Sequence, residues 1–246
     1  MNRFVRGRSG RIVLGCLLVS GIYGSGIGGE ERPASPRIDL DRRLEERLGG
    51  GEIIALIERL EGSKTRRCRA VGVIQAPIHK VWHVLGDYEG YPEFMPDTPV
   101  AFVLDPAAFE ALRSLPVENW KQFEKTLVRH RITDYDRDAP FYFFTRVNVP
   151  WPMKDRRFVV RVLRNPSTYE IYWHQVLGDL KENRGFWQLY RFGSGQGDTL
   201  AVYTIYTDPG VFVPAFFLKL ALRGSLPGVI KAVRRRVGSG AASEIR

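Results

Sequence analysis

The chain has 246 residues, 44% of them hydrophobic, 12% aromatic and 26% charged, with a formal net charge of +10. Such length and composition are ordinary for one globular domain with extensions and a sizeable core. The positive balance favours anionic surfaces, lipid or nucleic acid, without choosing between them. Of the 2 cysteines, Cys16 lies in the N-terminal leader, so Cys68 stands alone beyond it. This excludes an internal disulfide and a cysteine metal site.

The leader opens with MNRFVRGRSGR, a basic stretch with no acid. IVLGCLLVSGIY (residues 12–23) is a short apolar run, and GSGIGG supplies small residues suited to cleavage. The run is shorter than the roughly 20 residues that a spanning helix needs. Residues 1–28 read as a signal peptide or N-terminal anchor, and the protein as exported, periplasmic or membrane-associated. Gly24, Gly26 and Gly29 match GxGxxG, but no strand–turn–helix unit surrounds them. Residues 29–62 read as a linker, EERPASP, followed by two short helices within 38–60 on either side of Gly49–Gly51. Residues 63–238 read as the folded domain and 239–246 as a flexible tail.

Within the domain, CRAVGVIQAP (68–77) reads as a strand ending at Pro77. Ile78, Val81, Trp82 and Leu85 then share a helical face, with turns at Gly90 and Pro92. Residues 101–104 read as a strand. Residues 106–122 read as a helix with Phe109, Leu112 and Leu115 in step. A run of strands is expected at 123–135, 140–149, 155–164, 169–177, 186–192 and 199–207, mostly separated by turn chemistry such as GSGQGD at 193–198. Phe158, Val160 and Val162 point one way, and Arg157 and Arg161 the other. The last element, VPAFFLKLALRGSLPGVIKAVRRRV (213–237), has a wide apolar stripe at helical spacing. Pro214 fits its start. Gly224 and Pro227 weaken its middle, either to follow sheet curvature or to provide a gate. Short turns between strands indicate an antiparallel sheet and the α+β class. The terminal helix is the only long amphipathic element expected to cover its apolar face.

Several segments carry a resemblance. VPWPMKDRRFVV (149–160) resembles the PWP…DRDF hairpin of START (StAR-related lipid-transfer) domains. YTDPGVFVPAFFLKL (206–220) resembles the entry to their C-terminal helix, and RGFWQL (184–189) the strand before it. QAPIHKVWHVLGDYEGYPEFMP (75–96) resembles the opening of the polyketide-cyclase and coenzyme-Q-binding branch of the same superfamily. Arg157 departs from the motif, which commonly has Asp there. The resemblance implies a helix-grip fold, a curved sheet wrapped around a C-terminal helix with an apolar tunnel between them. It also implies a lipid, sterol, quinone or polyketide as ligand.

On that analogy the cavity is expected to be lined by Trp82, Phe141, Phe143, Val147, Trp151, Phe158, Val160, Trp173, Trp187, Tyr203, Phe216, Phe217 and Leu220. Periodicity alone does not separate lining a cavity from filling a core. Arg156 is a candidate for a ligand's polar headgroup, or else pairs with Asp155 to fix the hairpin. Lys219, Arg223, Lys231, Arg234 and Arg235 are candidates for docking on an anionic membrane, or else form a solvated face. His79 and His83 lie one helical turn apart, with no nearby carboxylate or cysteine completing a metal site. No metal, cofactor or catalytic residue is expected, and no nucleic-acid partner. The leading expectation is binding, with possible transfer, of a hydrophobic molecule outside the cytoplasm. The rivals are a polyketide aromatase/cyclase-like enzyme and a cytoplasmic ribosome-associated protein.

Overall fold

The computed structural model describes residues 40–150, 153–193 and 197–240. The leader, the linker up to residue 39, Trp151 and the last six tail residues lie outside the described residues. The elements run α1 (Arg42–Gly49), β1 (Ile53–Arg59), β2 (Arg66–Ile74), α2 (Ile78–Leu85), α3 (Tyr91–Phe94), β3 (Val100–Leu104), α4 (Pro106–Leu112) and α5 (Trp120–Val128). They continue through β4 (Arg131–Ile132), β5 (Phe141–Val147), β6 (Arg156–Asn165), β7 (Glu170–Gly178), β8 (Glu182–Phe192) and β9 (Asp198–Asp208). Last come α6 (Ala215–Leu220), a π turn (Ala221–Ser225) and α7 (Leu226–Gly238). The strands form one antiparallel sheet in the order β1-β2-β9-β8-β7-β6-β5-β3-β4. The α+β class and the sheet-around-helix arrangement are as expected.

Three local expectations are corrected. Residues 53–59, expected as a helix in the linker, are an edge strand paired with β2 from Ile53↔Gly72 to Arg59↔Arg66. Its β-branched residues suit a strand, and Gly51, at φ +88°, turns the chain into it. The helix expected over 106–122 stops at Leu112, and Leu115 is exposed. The strand expected over 123–135 is α5 as far as Val128, and only Arg131–Ile132 within it forms a strand. Asn119 caps that helix by accepting from the Lys121 and Gln122 N–H groups, and its buried Leu127 follows Phe123 at helical spacing. Helices α4 and α5 put Phe109 and Leu127 against Phe102, Leu104, Phe144 and Val159. By alternation that is the face of β5 and β6 opposite Phe143 and Val160. The terminal helix is therefore not alone in covering the sheet.

The terminal helix itself is interrupted. Pro227 has no N–H to return to the turn before it, and the Leu226 N–H reaches back to Ala221 O, the π spacing. Beyond the break α7 is clamped. Leu226, Ile230 and Val233 are buried, and a Cβ on Gly72 would lie 2.9 Å from Ile230 Cγ2, so glycine there lets helix and strand close. Arg234 donates to Val73 O (2.8 Å) and Gly51 O (3.1 Å). Arg236 donates to Asp87 (2.9 Å) and Glu93 (2.8 Å). Before the break, α6 buries no residue.

Arg157, the departure from the family motif, has its own counter-charge. Glu124 of α5 accepts from Arg157 (2.7 Å) and Arg146 (2.9 Å), with all three side chains largely shielded. Removing Glu124 takes away the carboxylate that both arginines share at that junction. Glu124→Ala is expected to destabilise the fold by about 3 kcal/mol in urea unfolding; an unchanged midpoint would show that the network adds nothing.

Candidate functional site: an apolar cavity under a broken helix

A cavity of about 460 Å³ lies between the sheet and the α6–α7 segment. Strand alternation builds its walls. Val147, Thr145 and Phe143 come from β5, and Arg156, Phe158, Val160 and Val162 from β6. Across the sheet, Trp173, Trp187 and Tyr203 form an aromatic shelf, with Trp173–Tyr203 ring centroids 5.7 Å apart and Trp187–Tyr203 at 4.9 Å. Gly185 makes room for this shelf, since a Cβ there would lie 2.3 Å from Trp173 Cζ2 and 2.5 Å from Thr204 O. Phe217, Leu220, Ala221, Leu226 and Val229 close the helix side. Tyr88 and Tyr91 complete the lining, stacked on each other at 5.3 Å and edge-on to Phe143.

The interior carries little reactive chemistry. Burial pushes the Cys68 thiol up to about 11 and raises the Tyr88, Tyr91 and Tyr203 phenols above their ordinary value. These groups stay protonated near neutral pH. The charged lining residues are Arg66, Asp97 and Arg156. Asp155 accepts from the Val149 N–H at 3.4 Å.

Of the expected lining, Phe143, Val147, Phe158, Val160, Trp173, Trp187, Tyr203, Phe217 and Leu220 meet at the cavity, and so does Arg156. Three do not. Trp82 is core, beneath the Arg164 guanidinium at 4.4 Å and edge-on to Tyr169. Phe141 packs between Tyr88 and Tyr135. Both belong to the filled region beside α2, whereas the hollow lies further along the sheet. Phe216 is 67% exposed and points away from the cavity. Among the docking candidates, Lys219, Arg223, Lys231 and Arg235 are exposed, whereas Arg234 is committed to the sheet. Lining residues not anticipated include Tyr88, Tyr91, Asn183, Thr145, Arg66 and Asp97. The tyrosines sat in a segment read as turns. Extending alternation back along β8 from Trp187 would have reached Asn183. His79 and His83 are exposed on α2. Among the described residues no group of three His, Cys, Asp or Glu side chains is placed to hold a metal.

A curved antiparallel sheet, a C-terminal helix and an apolar hollow between them define a START-like helix-grip protein. Residues 74–234 match the family described as polyketide cyclase / dehydrase and lipid transport, and the chain belongs to that family. No curated protein matches it. Among solved structures it is similar to a STAR-related lipid transfer protein from Xanthomonas axonopodis, with 19% identity, TM-score 0.53 and coverage of 76% of this chain and 93% of that one. Human STARD10 matches with 12% identity, TM-score 0.53 and coverage of 86% and 84%. The Zhui aromatase/cyclase from Streptomyces sp. R1128 matches with 16% identity, TM-score 0.50 and coverage of 72% and 96%. At these identities the likeness establishes the fold. Family and hollow together support binding of a hydrophobic ligand.

The Gly185 contact makes a local test. Gly185→Ala is expected to cost about 1–3 kcal/mol through overpacking. It should lower the thermal midpoint and change the near-ultraviolet circular dichroism as Trp173 is displaced. An unchanged spectrum and midpoint would mean that the shelf does not depend on this glycine.

Proposed function

We propose that the protein binds a lipid, sterol, quinone or similar hydrophobic molecule in this cavity, and transfers or shelters it, without covalent chemistry. The observation that carries the reading is the 460 Å³ hollow with aromatic and aliphatic walls and protonated phenols. Its size falls within the range of small-molecule sites. A buried chain of ten methylenes contributes about 8 kcal/mol, enough for affinity without a reaction. The apolar run at residues 12–23 supports an extracytoplasmic setting.

The outward residues near the lid support loading at a membrane. Phe212 is 85% exposed and Phe216 67%, with Val211 and Leu220 also exposed, and Lys219 and Arg223 lie beside them. Apolar side chains flanked by cations suit an anionic bilayer surface. The α6 segment buries no residue, and the π turn gives it a place to bend away from clamped α7. The cyclase-like alternative draws on the family's description and would use Arg156 to polarise a carbonyl.

Native mass spectrometry of gently purified protein is expected to find a bound mass that organic extraction releases unaltered. Ligand-free protein that binds no quinone, sterol or fatty-acid probe would contradict the proposal, and turnover of a polyketide would favour the alternative. Replacing Phe212 and Phe216 by Ser and Lys219 and Arg223 by Glu should weaken flotation with anionic vesicles at least about tenfold, while leaving the thermal midpoint unchanged. Equal flotation would remove the membrane from the account. Fractionating cells that express the full chain tests the location; cytosolic recovery would restore the ribosome-associated reading.

A further inference from the structure

The cavity wall holds a polar group that the fold does not satisfy. Asn183 lines the cavity and is 2% exposed, yet neither its Oδ1 nor its Nδ2 has a hydrogen-bond partner. Exchanging the two amide atoms changes nothing, because both are orphaned. Asn183 pairs across the ladder with Thr207, which also lines the cavity. On the other side β7 and β8 pair as far as His174↔Arg184, and the next residues outward are Gln175 and Asn183. Gln175 opposes cavity-lining Val160 and lies on the Trp173 side of its strand. It donates to Leu180 O at 2.8 Å and packs against Gly178, so it flanks Asn183 without lining the cavity. A buried orphan amide costs about 1–3 kcal/mol, and a leucine of the same shape would avoid that cost.

Building on the proposed ligand-binding role, we infer that Asn183 recognises one uncharged hydroxyl group on an otherwise apolar molecule. The unmet atoms in the cavity wall are the Asn183 carbonyl oxygen and its amide nitrogen with two N–H groups. A hydroxyl donates to a carbonyl and accepts from the amide. An ionised carboxylate only accepts, so it would leave the Asn183 carbonyl oxygen unmet and facing a negative charge. A hydrocarbon leaves the amide orphaned. The site therefore selects a long-chain or polycyclic alcohol over the matching acid anion or alkane. Arg156, further along the wall, is a separate charged group, so an acid ligand would depend on it instead.

The test uses the full chain and displacement of 1-anilinonaphthalene-8-sulfonate by decanol, decanoate and decane. The parental protein is expected to favour decanol over decane by about tenfold beyond their difference in partitioning into octanol. Asn183→Leu should abolish that preference, leave decane binding intact and keep or raise the thermal midpoint. Asn183→Ala serves as a second variant if the leucine does not fold. An undiminished alcohol preference in the variant would overturn the inference, as would equal weakening of all three ligands with a lowered midpoint, which marks a structural asparagine. A parental preference for decanoate that Arg156→Gln removes would assign recognition to the arginine. If the dye or every competitor fails to bind the parental chain, the ligand-binding reading falls first and this inference with it.

Discussion

The close approach of α7 to β2 is the constraint on which the rest depends. Ile230 sits where a side chain on Gly72 would be, and Arg234 reaches past it to two backbone carbonyls. That end of the sheet is sealed and its core is filled. Helical geometry then fails at the π turn, upstream of Pro227, and α6 continues without burying a residue. One half of the terminal segment is a structural strut and the other is a cover. A straight helix of the same length would carry the seal along the whole sheet; the break is what leaves the hollow under α6.

The hollow has a consistent chemistry. Burial keeps its phenols and thiol protonated, and stacked rings rather than ion pairs hold its shelf in place. Ion pairs hold structural junctions instead: Glu124 with two arginines on one face, and Arg236 with Asp87 and Glu93 at the foot of α7. An unmet amide in the wall is costly in an apo protein. Retaining a buried asparagine where a leucine of the same shape would fit is the kind of local inconsistency that marks a functional position.

Much of this was legible in the sequence, for identifiable reasons. Seven strands, β2, β3 and β5 to β9, lie where they are expected, and the hairpin and helix-entry motifs identify the helix-grip. The failures are equally physical. Residues 53–59 sit among charged neighbours that mimic a helical pattern, and their pairing with β2 is long-range. The stretch from Trp120 to Val128 combines aromatic and β-branched residues with helical spacing, and the cap at Asn119 decides in favour of helix. Phe141 and Phe143 are identical in periodicity; only their distance along the strand from α2 makes one core and the other cavity wall. Phe216 and Phe217 are adjacent on α6 and so point about 100° apart; Phe217 lines the cavity and Phe216 faces out.

The central claim is that this hollow takes in an oily chain, and the fluorescence of Trp173 and Trp187 tests it most directly. A long-chain alcohol brominated near its end should quench the emission saturably, at a one-to-one stoichiometry, and the quenching should disappear when both tryptophans are replaced by phenylalanine. Emission that stays unchanged at saturating brominated ligand, or quenching that survives the double replacement, would place the chain outside the cavity and contradict the account.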